Sequence, residues 1–206
     1  MKTKNIIACL FLLLATQAVS AQNNAEALIR IMVNQMKSHN NVELTYQYRI
    51  HADGKTSDAQ QGKGWLQGQA YKVEMAEQEI VSDGKTIWTY LVDEEEVMIS
   101  NATDGADNTP LKLLTSLDEN YAATLTGIDE KGFATIELAN PKGKYKRVTL
   151  RANANKMQIS GLDVYLDDGS KLLITVDEMN FDQELADKFF TFDPIKHPSA
   201  EVIDMR

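Results

Sequence analysis

The chain has 206 residues, of which 30 are acidic and 21 basic, giving a formal net charge of −9 with a single cysteine. An acidic surface is repelled by phosphate backbones and anionic headgroups, which argues against nucleic-acid binding and against stable adsorption to a membrane. One cysteine excludes an internal disulfide framework, so packing alone must hold the fold.

Lys2 and Lys4 precede an apolar run from Ile6 to Leu14, and Val19-Ser20-Ala21 precedes Gln22. A basic end, a short greasy centre and small residues before the cut are what a signal peptidase reads, so residues 1–21 are predicted to be a signal peptide removed after Ala21. The run falls well short of the roughly 20 residues that span a bilayer as a helix. Cys9 lies inside the run, poorly placed to carry a lipid anchor. The expected mature chain, residues 22–206, is one exported, soluble, cysteine-free domain, and losing Lys2 and Lys4 takes its charge from −9 to −11.

From Ala25 to His39 the apolar positions Leu28, Ile29, Met32, Val33 and Met36 gather on one stripe of a helix. Asn23 or Asn24 can cap its start, and Glu26 and Lys37 suit the two ends of its dipole. The period then changes to two. Val42, Leu44, Tyr46, Tyr48 and Ile50 alternate with polar residues, as in a strand with one dry face. Further strands are predicted around 58–67, 69–76, 78–83, 85–92 and 96–100. Asp83-Gly84 is read as the tight turn of a hairpin whose second arm carries Ile87, Trp88 and Tyr90.

After the polar stretch Asn101 to Asn108, a short helix is predicted over Thr109 to Leu117. Asn108 or Thr109 caps it, Pro110 takes the first position, and Leu111, Leu113, Leu114 and Leu117 form its apolar side. Strands resume near 121–129, 132–139, 145–152, 156–167 and 170–180, with Asp168-Gly169 turning the last pair. Asp182 is a candidate cap for a last helix through Leu185 and Ala186. An extended segment from Phe189 to Phe192, running on toward Ile203, closes the chain.

Ten or eleven strands against three short helices leave more sheet than the helices can cover. The predicted class is therefore mainly β with few helices, a sheet that must curl into a barrel or an incomplete one with the amphipathic helices as its natural cover. Incomplete closure leaves an apolar concavity, and that hollow is the expected functional feature.

The residues that carry a family resemblance are Val81 to Tyr90 (VSDGKTIWTY), Asp107-Asn108-Thr109-Pro110 with Leu111, Leu113 and Leu114, and the tail Phe189 to Pro194 (FFTFDP) followed by Val202 to Arg206. Together they resemble the periplasmic outer-membrane lipoprotein carrier family, LolA. The resemblance implies a half-open antiparallel β-barrel under a helical lid, a monomer in the periplasm whose greasy interior holds the acyl chains of lipoproteins. It also implies an inner-membrane ABC lipoprotein-releasing transporter that loads the carrier and an outer-membrane acceptor that unloads it. The related acceptor, LolB, is itself lipidated, and the missing anchor cysteine favours the carrier. Better-known carriers follow the strand tryptophan, placed here at Trp65, with a Lys-Arg-Pro turn whose arginine fastens the lid. Leu66-Gln67-Gly68-Gln69-Ala70 stands in its place, about one residue shorter and without arginine.

The expected lining comprises Leu28, Ile29, Met32, Val33 and Met36 from the first helix and Leu111 and Leu114 from the second. The strands contribute Tyr46, Tyr48, Ile50, Trp65, Tyr71, Val73, Met75, Ile87, Trp88, Tyr90 and Met98. Aromatic residues on strands serve equally as ordinary core, and methionine fills cores as well as pliable pockets, so both readings stand at this level. His39, His51 and His197 lie far apart without ligand spacing, and Asp93 to Glu96 and Asp104 to Asp107 lack the ordered spacing of a calcium loop, so no metal or cofactor is expected. No nucleophile motif or phosphate loop is present, and no catalysis is expected. The alternative is a periplasmic lipid-binding or sensor module on the same half-barrel that transports nothing.

Overall fold

The computed structural model describes residues 24–103, 109–114, 117 and 121–206. Helix α1 (residues 24–38) leads into a long series of strands. These are β1 (Val42–Ala52), β2 (Lys55–Thr56), β3 (Gln60–Gln67), β4 (Ala70–Glu74), β5 (Gln78–Ser82), β6 (Thr86–Leu91) and β7 (Glu96–Asn101). Helix α2 (Pro110–Leu113) follows. Then come β8 (Ala122–Ile128), β9 (Phe133–Ala139), β10 (Arg147–Asn153), β11 (Gln158–Tyr165), β12 (Lys171–Phe181) and β13 (Glu201–Asp204). The predicted signal peptide and Asn23 lie outside the described residues, as do Asp104 to Asn108.

All thirteen strands form one sheet, ordered β13-β7-β6-β5-β4-β3-β1-β12-β11-β10-β9-β8, with β2 appended to β1. Pairing is antiparallel except where β13 joins β7. Strands β8 and β13 end the order without pairing to each other, so the sheet is open. Ile80 on β5 and Leu162 on β11 nonetheless line the same cavity. Those strands stand five steps apart, about 24 Å along a flat sheet at roughly 4.8 Å per step. The sheet must therefore curl. Register shifts at Thr45/Tyr46, Leu125/Gly127 and Arg151/Ala152 supply bends, since a bulge coils and twists its strand.

Alternation sorts the strand residues onto two faces. Val42, Leu44, Tyr46 and Tyr48 of β1 are buried on the inner face, paired to Leu66, Gly64, Gly62 and Gln60 of β3. The inner face continues through Val148 and Leu150, Leu162 and Val164, and Ile174, and with α1 and α2 it forms one contiguous core. Within α1 the buried positions are Ala25, Ile29, Met32, Val33 and Met36, the stripe expected from the spacing.

The hairpin of β5 and β6 is present, but its turn is shifted by one residue. Ser82 pairs with Ile87, and the Asp83 N–H donates to Thr86 O, so Gly84 and Lys85 are the central residues. Only Gly84 of these has a positive φ, +87°, which is the pattern of a type II′ turn. Asp83 closes it from outside: its Oδ1 accepts from the N–H groups of Lys85 (2.8 Å) and Thr86 (2.7 Å).

The helix predicted after Asp182 does not form. Asp182 has φ +54°, outside the extended region of an N-cap, and its carboxylate is already committed to His39 and to the Asn40 N–H. Residues 187–190 are turns rather than a strand, and only Glu201–Asp204 of the tail is extended. The tail crosses the outer face of the sheet. Phe189 packs edge-on against Trp65 at 5.3 Å, and Tyr90 receives His197 at 4.1 Å and Phe192 at 6.0 Å between ring centres.

Candidate functional site

Inside the curl lies a cavity of about 260 Å³ bounded by β1, β4, β5, β11, β12 and α2. Its wall is aliphatic apart from Gln78, Thr109 and the tyrosines 46, 48 and 145. Burial pushes the Tyr46 phenol well above its ordinary value. Tyr48 is raised to about 12, first by burial and then by its hydrogen bond to Glu77. Burial likewise raises Tyr145 to about 12, with Tyr121 adding to the effect. These hydroxyls therefore stay neutral near pH 7, and the wall carries no charge. Leu166 lines the cavity yet is 37% exposed, and Ile50, paired to the lining residue Leu172, is 49% exposed. The cavity thus reaches solvent at the loop between β11 and β12.

Helix α2 reaches into this hollow. Thr109 caps it, its Oγ1 accepting from the Lys112 N–H at 3.1 Å, and Leu111 and Leu114 point into the cavity. Leu111 is seated on Gly64 of β3, where an added Cβ would stand 2.9 Å from its Cδ2. Gly62 makes the matching room for the ring of Tyr46, which a Cβ there would approach to 2.6 Å. Two side chains thus occupy a notch that two glycines cut into the inner wall.

The lid is fastened from its own side. Lys112 Nζ donates to Gln69 Oε1 at 2.8 Å and to the Gln69 carbonyl at 3.4 Å, and it lies over the ring of Tyr71. The turn that lacks an arginine therefore offers acceptors to a lysine from α2. A second recess of about 360 Å³ lies beside this contact, bordered by Val33, Met36, Val42, Leu66 and Lys112.

Helix α1 is bolted down at its C-terminal end. His39 stacks on Phe181 at 4.1 Å and bonds Asp182 through Nδ1 at 2.7 Å, while Asp182 also accepts from the Asn40 N–H at 2.7 Å. Asn41 and Gln183 exchange two further hydrogen bonds. The first hydrogen bond, to His39, holds the Asp182 carboxyl below its usual value, and the Asn40 N–H reinforces it.

Of the residues expected to line a cavity, Tyr46, Tyr48, Val73, Met75, Leu111 and Leu114 converge on this one. Ile29, Met32, Val33 and Met36, with Leu28 beside them, pack into the core as the inner side of α1, and none forms part of the cavity wall. Tyr71 is buried in the same core, and Ile87 and Met98 keep the inner-face register further along the sheet. Ile50 stands at the rim. Trp65, Trp88 and Tyr90 belong to the opposite face, in register with Glu43, Val81 and Glu79 respectively. Trp65 donates through Nε1 to Glu43 at 2.8 Å there. Lys72 lies beside it, paired to Glu74 and Glu79 and placed over Phe189. The aliphatic residues Leu162, Leu172, Ile174 and Val176 complete the wall. The signal that marks them in the sequence is the period of two in Leu172, Ile174 and Val176, the same alternation that marks β1.

Among the described residues, no group of three His, Cys, Asp or Glu side chains converges as a metal site. Nor is any described helix long and apolar enough to cross a membrane.

An open antiparallel sheet, curled around an oily hollow and covered by helices, is the architecture of the half-open lidded barrels. The chain belongs to the LolA family: the model of the outer membrane lipoprotein carrier protein LolA matches residues 46–193. It is 28% identical over 159 residues to the outer-membrane lipoprotein carrier protein of Haemophilus influenzae, spanning 74% of this chain and 76% of that one. It is 29% identical over 161 residues to the protein of that name from Pasteurella multocida, spanning 75% and 76%. A DUF1329 family protein from Desulfovibrio piger shares the fold, with a TM-score of 0.50 at 16% identity over 82% of this chain and 97% of that one.

Proposed function

We propose that this protein is a periplasmic carrier that binds the acyl chains of lipoproteins in its apolar cavity and shuttles them from the inner to the outer membrane, without catalysing a reaction. The observation that carries the reading is a neutral, greasy hollow covered by α2, whose Leu111 is seated on Gly64 and whose Lys112 bonds Gln69. Export by the signal peptide at residues 1–21, loading by an inner-membrane ABC transporter and delivery to an outer-membrane acceptor complete the cycle.

The energetics fit this role. A cavity of about 260 Å³ lies just below the roughly 300–1,000 Å³ typical of ligand pockets. Room for chains therefore comes from lifting α2 and withdrawing Leu111 and Leu114. Burying three chains of roughly fifteen methylenes would gain over 30 kcal/mol against water at about 0.8 kcal/mol each. That exceeds the practical ceiling near 20 kcal/mol for non-covalent binding, and the lid residues' lost contacts offset part of it. Against a membrane, which is as apolar as the pocket, transfer is close to neutral. Net movement then needs energy-coupled loading and a better acceptor.

Native mass spectrometry of protein freshly purified from the envelope tests the reading. Bound acylated cargo is expected. Ligand-free protein that also fails to solubilise a synthetic triacylated lipopeptide would place the chain among half-barrels with a filled core.

A further inference from the structure

Polar groups are almost excluded from the cavity wall, but they collect at one point of its rim. The Tyr48 side chain lines the cavity and is 4% exposed, while its hydroxyl lies 2.7 Å from Glu77 Oε2 and 2.5 Å from Gln60 Oε1. The Ala76 N–H also points at that oxygen, at 3.4 Å. Glu77 and Gln60 are exposed, so the carboxylate stands where the oily wall ends.

One phenolic proton faces two acceptor oxygens, which leaves acceptor capacity in excess. An ionised carboxylate offers about four lone-pair sites, and the hydroxyl of Tyr48 takes one of them. No described lysine, arginine or histidine pairs with Glu77. A rim of this kind attracts N–H donors and repels a phosphate or a fatty-acid carboxylate.

Resting on the acyl-carrier reading above, we propose that Tyr48, Gln60 and Glu77 form a subsite for the polar junction of the ligand, with Glu77 accepting a hydrogen bond from an N–H group next to the acyl chains. Two junctions share that chemistry: the amide of an N-acylated cysteine and the free ammonium of a diacylated one. The charge of Glu77 makes the subsite a filter as well as an anchor. A chain ending in an anion meets like charge at the point where it enters.

The test uses the mature protein, its Glu77→Gln variant and a Glu130→Gln control at an exposed turn. Each is titrated with a triacylated cysteinyl lipopeptide, its diacylated counterpart and palmitate. Glu77→Gln is expected to weaken lipopeptide binding about 10-fold, the factor that 1.4 kcal/mol represents, and to leave palmitate binding equal or tighter. The control should match the wild type. A larger loss for the diacylated peptide assigns the ammonium, a larger loss for the triacylated peptide assigns the N-acyl amide, and equal losses show that the subsite accepts either N–H donor. An equal change for lipopeptides and palmitate, or no change, overturns the subsite while the carrier reading stands. A wild type that binds neither lipopeptide overturns both.

Discussion

Lys112 Nζ lies 2.8 Å from the side-chain oxygen of Gln69, so the lid helix carries the donor and the barrel turn carries the acceptors. A cation on the moving element meets two oxygens of one residue, and both bonds break together when α2 lifts. A hydrogen bond to a charged group at a partly exposed site contributes on the order of 1 kcal/mol. Lys112→Met should therefore raise the open population about 5-fold at near-unchanged melting temperature. Faster amide exchange at residues 110–114, with quicker uptake of an apolar dye, would report it.

Leu111 seats on Gly64 because no Cβ is there. Gly64→Val should unseat the lid and destabilise the protein by about 1–3 kcal/mol, the usual cost of overpacking. Adding Leu111→Ala should recover much of that loss in a denaturant titration. Additive losses would mean that the two residues do not share the notch.

Trp65 and Val176 lie on opposite faces of the sheet. Trp65→Ala should cost about 3–4 kcal/mol of stability through lost packing against Phe189 while leaving acyl-probe affinity in the folded fraction unchanged. Val176→Phe should do the reverse, filling part of the cavity and weakening the probe at modest cost in stability. Calorimetric binding alongside thermal melts separates the two effects.

The bond from His39 depresses the Asp182 carboxyl below its ordinary value of 3.8. A group with a lowered folded-state pKa contributes stability that is full above its unfolded value and is lost as pH falls through the folded one. The anchor of α1 should accordingly hold from neutrality down to about pH 4 and loosen below it. Amide exchange at Asn40 would report the change, and Asp182→Asn should remove that pH dependence.

Most elements were legible because each has a local cause. The stripe Ile29, Met32, Val33 and Met36 has the helical period, and Val42, Leu44, Tyr46 and Tyr48 have the period of a strand. The pairing across Asp168-Gly169 also follows from local chemistry, with Gly169 at φ +85°. The failed helix after Asp182 had a plausible cap, but the capping oxygens went to His39 and Asn40, more than 140 positions away in sequence. Ile87 and Trp88 are neighbours on one strand and must face opposite ways, yet nothing local says which way is inward.

Sequence alone determined the strands, the two covering helices, the acidic character and the family pattern, because periodicity, turn chemistry and charge are properties of short segments. Only the tertiary structure decided which face became the cavity wall, that Trp65, Trp88 and Tyr90 lie on the outer face with Trp65 and Tyr90 under the C-terminal tail, and that Lys112 fastens the lid. Those outcomes depend on the direction in which the sheet curls and on contacts between residues distant along the chain, and no local pattern encodes either.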